Sequence, residues 1–295
     1  DNGPSALIFT WSMVSGPGAV TFSPNGTPAS ATSSASFSAA GGYTLRVTIS
    51  DGAASVFGEV AVTVNAAAVP LVVKKGRQEE TLKWREDFVA WTRHVARAAS
   101  AADSEFVFVG YGVVAPEFNW DDYKGLDVKG KTLIMLVNDP PVPDPSNPSE
   151  LDAKVFGGRA MTYYGRWTYK FDIAAEKGAA GALVIHETGP AGYPYQIVQD
   201  GFTGERFNLV TPDKNMSKAP IEGWVSTDAG KKLLQLGGQD FDKLKAQAAT
   251  RDFKPVPLGV TASVTLQNTL RTLDSQNVVA KLEGADPARK DEYVV

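Results

Sequence analysis

The chain contains no cysteine and only two histidines, His94 and His186, in 295 residues. The first absence excludes disulfides, thiolate nucleophiles, zinc knuckles and iron-sulfur sites together. The second means that a centre built on two imidazoles must draw both from distant parts of the chain. No apolar run approaches the roughly 18 residues that span a bilayer. Asp1 opens into polar sequence rather than a basic stretch followed by an apolar core, so neither a membrane span nor a signal peptide is expected. There is no initiator methionine, which predicts trimming. Clustered basic charge is missing as well. With 29 Lys and Arg against 33 Asp and Glu, the formal net charge is −4, and no basic face is expected to meet nucleic-acid phosphates.

What is present is enough apolar content for more than one core, 43% hydrophobic against 21% charged. Composition changes sharply along the chain. From Asp1 to Ala68 only Asp1, Arg46, Asp51 and Glu59 are charged, whereas charged residues become frequent from Pro70 onward. Such a change marks a domain boundary. In the first block, covering residues 1–67, short apolar runs at Ala6–Trp11, Ala19–Phe22, Ser34–Phe37, Tyr43–Ile49 and Val60–Val64 are separated by Gly, Pro and Asn. That spacing predicts a small antiparallel β-sandwich.

Residues 68–100 read as a bridge. LVVKKGRQEETLKW predicts a hairpin, and REDFVAWTRHVARAA places Phe88, Trp91 and Val95 at i, i+3 and i+7, the stripe of an amphipathic helix. His94 lies beside that stripe as a surface or half-buried residue.

Residues 101–275 alternate strands and helices. Strands are expected in EFVFVGYGVVAPE, at Lys131–Asn138, at Ala182–Ile185, at Val260–Leu266 and at Thr269–Leu273. Helices are expected at Tyr169–Gly178, with Gly178 as its C-terminal cap, after Ser226 or Thr227 as N-cap, and at Asp240–Ala249. The five prolines of Asp139–Glu150 predict a loop. The fold class expected is thus multi-domain, an all-β sandwich followed by a mixed α+β domain. The last phrase, Asn277–Val295 within residues 276–295, reads as two apolar strands around a polar turn that stops mid-element, which predicts a chain cut from a longer one.

Two motifs fail on context. GLDVKGKT, Gly125–Thr132, spells a phosphate-binding loop letter by letter. Thr132, however, opens the β-type run LIMLVN rather than a helix, and Asp121, Asp122 and Asp127 surround the supposed anion site. His186-Glu187 begins a helical zinc-protease motif, but the second histidine falls on Pro190. No G-x-S-x-G turn accompanies His186 as a nucleophile elbow either.

TWSMVSGPG at Thr10–Gly18, ATSSASFSAAGGYTLRVTISDG at Ala31–Gly52 and VAVTV at Val60–Val64 resemble an immunoglobulin-like domain of the polycystic-kidney-disease type. The resemblance implies that Trp11 fills the core, that Tyr43 acts much like a tyrosine corner, and that the unit is a spacer or docking module with cell-surface or self-assembly contacts. Further on, GYGVVAPEFNWDDYKGLDVKGKTLIMLVNDPP, FGGRAMTYYGRWTYKFDIAAEKGAAGALVIHE and NTLRTLDSQNVVAKLEGADPARKDEYVV resemble the protease-associated domain and re-entry strands of zinc-dependent aminopeptidases of the glutamate carboxypeptidase-like family.

In that family the domain covers a two-zinc cleft and shapes substrate access, and a strand like EYVV leads into the first metal ligands. None of those ligands can be carried onto this sequence, so zinc is expected in a longer parent and no metal, cofactor or catalytic residue is assigned here. The resemblance implies peptide contact, and GRAMTYYGRWTYK is the stretch best suited to it. Arg159 and Arg166 can bind carboxylates bidentately, while Tyr163, Tyr164 and Trp167 offer rigid amphipathic surface; His186, ending a buried strand, is the remaining candidate. Two functions are expected from these features. One is the noncatalytic portion of a secreted bacterial zinc peptidase. The other is a stand-alone extracellular binding, adhesion or assembly protein.

Overall fold

A computed structural model describes residues 7–37, 41–64, 71–204 and 206–272. The chain is mostly β, as expected for a β-rich multi-domain protein. In the first unit, β1 (Ile8–Ser15) pairs with a later strand, while β2 (Val20–Ser23) and β3 (Ser34–Phe37) pair with each other. β4 (Gly41–Ser50) lies between β1 and β5 (Ser55–Val64), all antiparallel. Four of the five expected runs overlap these strands, and the fifth, Ala6–Trp11, enters β1 from Ile8 onward, with Leu7 outside the strand and Ala6 outside the described residues.

Aromatics tie the two small sheets together. Trp11 stacks on Phe22 with ring centroids 6.2 Å apart, and Phe37 meets Tyr43 edge-on at 4.8 Å. Trp11 is only half-buried, and its indole N–H donates to the Ser30 carbonyl at 2.8 Å. Tyr43 and Leu45 are the buried centre. Gly16 leaves room for the tyrosine, since a Cβ there would lie 2.0 Å from its ring. Beyond β4 the cover runs out: Val56 and Val60 of β5 point to the same side as Leu45 but stay exposed, and among the described residues β5 pairs only with β4.

The second unit is built on one curled eight-stranded sheet. Its elements are β6 (Leu71–Lys75), β7 (Gln78–Leu82), β8 (Phe88–Trp91), β9 (Ala98–Phe108), the small pair β10 (Val114–Ala115) and β11 (Trp120–Asp121), β12 (Thr132–Leu136), the hairpin β13 (Pro143–Asp144) and β14 (Asn147–Leu151), α1 (Trp167–Glu176), β15 (Gly181–His186), α2 (Thr188–Ala191), α3 (Tyr195–Gly201), β16 (Ile221–Ser226), α4 (Thr227–Leu236), α5 (Phe241–Ala248) and β17 (Val256–Gln267). The strand order is β7-β6-β17-β9-β12-β15-β16-β8. β9, β12, β15 and β16 run parallel, and the other neighbours pair antiparallel.

The central strands TLIML and GALVIH are buried at every residue, as parallel strands covered on both faces must be. Residues from strands near both ends of the order, such as Leu71, Phe88, Leu183 and Val264, line one apolar void of about 10 Å³, too small for an organic ligand. The sheet's outer strands are flanked by helices. Lys232 of α4 reaches Glu80 of β7 at 3.8 Å, and Gln199 of α3 donates to the Arg85 carbonyl beside β8.

Three sequence expectations are corrected. The amphipathic helix at residues 85–99 is absent: Phe88, Val89 and Ala90 are all buried in β8, which pairs with β16, because a four-residue run that is apolar on every side suits a strand covered on both faces. The bridging hairpin, β6 and β7, likewise belongs to the large sheet. Thr269–Thr272 form no strand, and Leu273 lies outside the described residues, as does the phrase Asn277–Val295. The proline-rich loop carries the short β13–β14 hairpin, turned by Asp144, whose Oδ1 accepts from the Ser146 N–H at 2.7 Å.

Helix ends follow their caps. Ser226 Oγ accepts from the Ala229 N–H at 3.2 Å, Asp240 Oδ1 from Lys243 N–H at 2.9 Å, and Gly178 follows α1 with φ +71°. The GLDVKGKT segment leads into β12. Lys131 pairs with Glu105, and the Thr132 hydroxyl donates to Ser104 Oγ at 2.8 Å, so both residues of the phosphate-loop signature are spent on protein partners.

Candidate functional site

The loop before α1 is shaped by three successive residues in the left-handed region, Phe156 (φ +52°), Gly157 (+67°) and Gly158 (+63°). Glycine takes that conformation freely; Phe156 is held in it by burial among Phe118, Trp120 and Tyr164, at centroid distances of 4.8, 5.3 and 6.1 Å. Farther along, buried Asp139 accepts from the Thr162 N–H and hydroxyl, each at 2.7 Å. Gly165 is pressed on the same carboxylate, where a Cβ would lie 2.8 Å from Oδ2. The loop is therefore pinned to the end of β12.

Lys170 supplies the deeper anchor. Its side chain is fully buried, and Nζ donates to the carbonyls of Tyr111 at 2.6 Å, Asn138 at 3.0 Å and Tyr164 at 3.4 Å. One ammonium thus joins the Gly110-Tyr111-Gly112 turn, the end of β12 and the candidate loop. Gly112 is required in that turn: its φ is +66°, and a Cβ would lie 2.4 Å from Met135 Sδ.

Burial pushes the lysine down to about 8, against the pull of Asp139 and Asp122. Asp122 is buried too, accepting from the Trp120 indole at 2.7 Å and the Val113 N–H at 2.9 Å; its burial outweighs these bonds and raises its carboxyl to about 7. Sequence reading missed this centre, although Lys170 stands in the same apolar stripe as Trp167, Phe171 and Ala174, a position where a charge signals a buried partner.

The six sequence-predicted contact residues do not form one site. Arg159 is exposed and pairs with Glu150 at 2.9 Å. Tyr164 joins the aromatic cluster around Phe156 and donates its hydroxyl to Glu117 at 2.6 Å. Trp167 is half-buried edge-on to Phe171 and Phe202. Phe202 leads on to Trp224, and Trp224 to His186 at 5.8 Å. His186 itself is 1% exposed, ringed by Tyr193, Tyr195 and Trp224, and burial holds its pKa below the ordinary value.

Tyr163 and Arg166 are both exposed, and the Tyr163 ring also meets those of Tyr164 at 6.1 Å and Tyr169 at 5.2 Å. Tyr163 and Arg166 close a tight turn through the Arg166 N–H to Tyr163 carbonyl bond at 3.2 Å. Tyr163 is 60% exposed, and the Arg166 guanidinium bonds to no group among the described residues. An exposed guanidinium and an exposed phenol ring at the two ends of one pinned turn can bind a carboxylate and an apolar group.

No family model, curated protein or solved structure matches the chain. The fold and these contacts therefore carry the functional argument. The zinc that the sequence resemblance implies finds no donor set here: among the described residues no group of three or more His, Cys, Asp or Glu could hold a metal ion. His94 is buried, with Nε2 bonded to the Lys218 carbonyl at 2.8 Å, and His186 is enclosed by aromatic rings. Among the described residues no helix is long and apolar enough to cross a membrane.

A half-buried ion network steadies the β8 edge of the sheet. Arg93 meets Glu222 at 2.5 Å and Asp172 at 3.0 Å, and the Trp91 indole donates to Glu222 at 3.1 Å. This network fixes the segment after β8 to β16 and α1, which explains why Arg93 and His94 are drawn into the unit rather than left on a solvated helix.

Proposed function

We propose that the chain is the noncatalytic portion of a secreted bacterial zinc metallopeptidase of aminopeptidase type. The second unit is its protease-associated domain, which covers the parent's active site and shapes substrate access. The first unit is an immunoglobulin-like spacer or docking module. The observation that carries this reading is the exposed Arg166 guanidinium, which bonds to no group among the described residues, three positions from exposed Tyr163 on a turn held by Asp139 and Lys170. The turn is suited to the carboxylate of a peptide, and its anchoring reduces the ordering cost of binding. All groups needed for that contact lie in this chain, while the hydrolytic centre belongs to the parent.

The test titrates the chain with short peptides bearing a free carboxylate, followed by tryptophan fluorescence. Saturable binding is expected, weakened at least fivefold by Arg166→Ala and by amidating the peptide. Aminoacyl chromogenic substrates with added zinc should give no turnover. Absence of saturable binding, or an unchanged Arg166→Ala variant, would favour a stand-alone adhesion or assembly protein; measurable turnover would overturn the noncatalytic assignment.

A further inference from the structure

A group of exposed apolar side chains stands on the segment before β16 and on the one after β17. Phe207, Leu209 and Val210 are 59%, 91% and 58% exposed, and Met216 and Leu270 are 57% and 47% exposed. Their carrier is ordered by its own bonds. The Asn215 amide donates to the carbonyls of Leu209 and Arg93, each at 3.0 Å, and the Val95 N–H donates to the Lys214 carbonyl at 3.0 Å. Four of these side chains, Phe207, Leu209, Val210 and Met216, stand on the segment these bonds tie down, and exposed apolar side chains held in this way are unusual on a surface with no partner.

The route of the chain indicates the occupant. Asn268 bonds to the carbonyls of Ala96 and Arg97, and the Arg271 guanidinium lies 5.1 Å from the centre of the Phe207 ring. The polypeptide therefore leaves the described region beside the patch. Within six residues of Thr272, a reach of up to roughly 20 Å, comes Val278–Leu282, VVAKL. In extended form its Val278, Ala280 and Leu282 share one face, with Val279 and Lys281 on the other.

We propose that this patch is the docking surface for the chain's own continuation, Val278–Leu282, laid against Phe207, Leu209 and Val210 through its Val278-Ala280-Leu282 face. The docking requires nothing of the Tyr163–Arg166 turn. It anchors whatever follows residue 282 to the second unit.

Because the chain lacks cysteine, pairwise cross-linking is unambiguous. A Leu209→Cys/Ala280→Cys variant of the full chain is expected to form an intramolecular disulfide at a rate independent of protein concentration, whereas Leu209→Cys/Val56→Cys should not. In the otherwise unaltered chain, amide hydrogen exchange at 278–282 should be slowed at least tenfold relative to a free peptide of that sequence. Leu209→Asp/Val210→Asp, at positions too exposed to unfold the unit, should abolish that protection. Three results would overturn the proposal: no cross-link, cross-linked dimers only, which would make the patch a self-association face, or protection that survives the double aspartate variant.

Discussion

Replacing Lys170 with methionine tests the anchor that positions the candidate loop. Methionine retains an unbranched apolar stem but has no donor, so the carbonyls of Tyr111, Asn138 and Tyr164 lose a shared partner. At about 1 kcal/mol for each acceptor the loss is roughly 3 kcal/mol. Asp139 and Asp122, whose charges act on the ammonium, lose that cation as well. Relief from dehydrating the ammonium offsets part of this. The fall of its pKa from 10.5 to about 8 corresponds to about 3 kcal/mol between charged and neutral forms.

The expected net loss is about 2–4 kcal/mol at pH 7, read by urea unfolding with tryptophan fluorescence. Alkaline pH supplies an independent signature. The folded pKa lies below the unfolded one, so between about 8 and 10.5 the unfolded chain binds more protons and native stability rises with pH. Wild-type protein should gain about 2 kcal/mol from this group between pH 7 and 9.5, and the methionine variant none of it. The two proteins are compared from pH 8 upward, because the carboxyl of Asp122, raised to about 7 and held down in part by Lys170, still titrates at the start of the range and works against the gain. A variant within about 1 kcal/mol of wild type at pH 7, or one with the same alkaline gain, would refute a lysine anchor.

Three further outcomes follow from named contacts. Arg93→Met leaves Glu222 buried without its cation and should cost about 3–5 kcal/mol in denaturant unfolding, more than removing any exposed pair such as Arg159–Glu150. Gly165→Ala forces a methyl against Asp139 and should cost about 1–3 kcal/mol while increasing proteolytic cleavage within 157–166. His186 has a folded pKa below its unfolded value, so its contribution is present above about 6.5 and is lost as pH falls through and below that point. His186→Phe should reduce the acid sensitivity of the thermal midpoint between pH 7 and 5.

The elements that sequence reading located best carried their own end signals: Gly178 after α1, Ser226 before α4 and Asp240 before α5. Strand β8 was misread because Phe88, Trp91 and Val95 satisfy a helical spacing by chance. Its state is decided by pairing with β16, more than a hundred residues away. The same limit hides Arg93 and Glu222, since neither has a local partner that marks it as buried. Within the candidate loop, composition singled out arginines and aromatics alike. Only the folded chain separates Trp167, taken into a cluster, and Arg159, neutralised by Glu150, from exposed Arg166, and leaves Tyr163 exposed at the rim of the cluster that holds Tyr164. Lys170 was legible in principle, as a charge standing on the apolar stripe of α1.

The large sheet finishes on β7 and β8, each with a helix alongside, whereas β5, ten residues long, pairs among the described residues on one side only and leaves Val56, Phe57 and Val60 in water. A row of unused amides and carbonyls beside apolar side chains is a template for adding another strand. In a concentrated preparation, polymerisation would start in the first unit. A lysine in place of Val56 or Val60 is the substitution that would lengthen the shelf life of the protein.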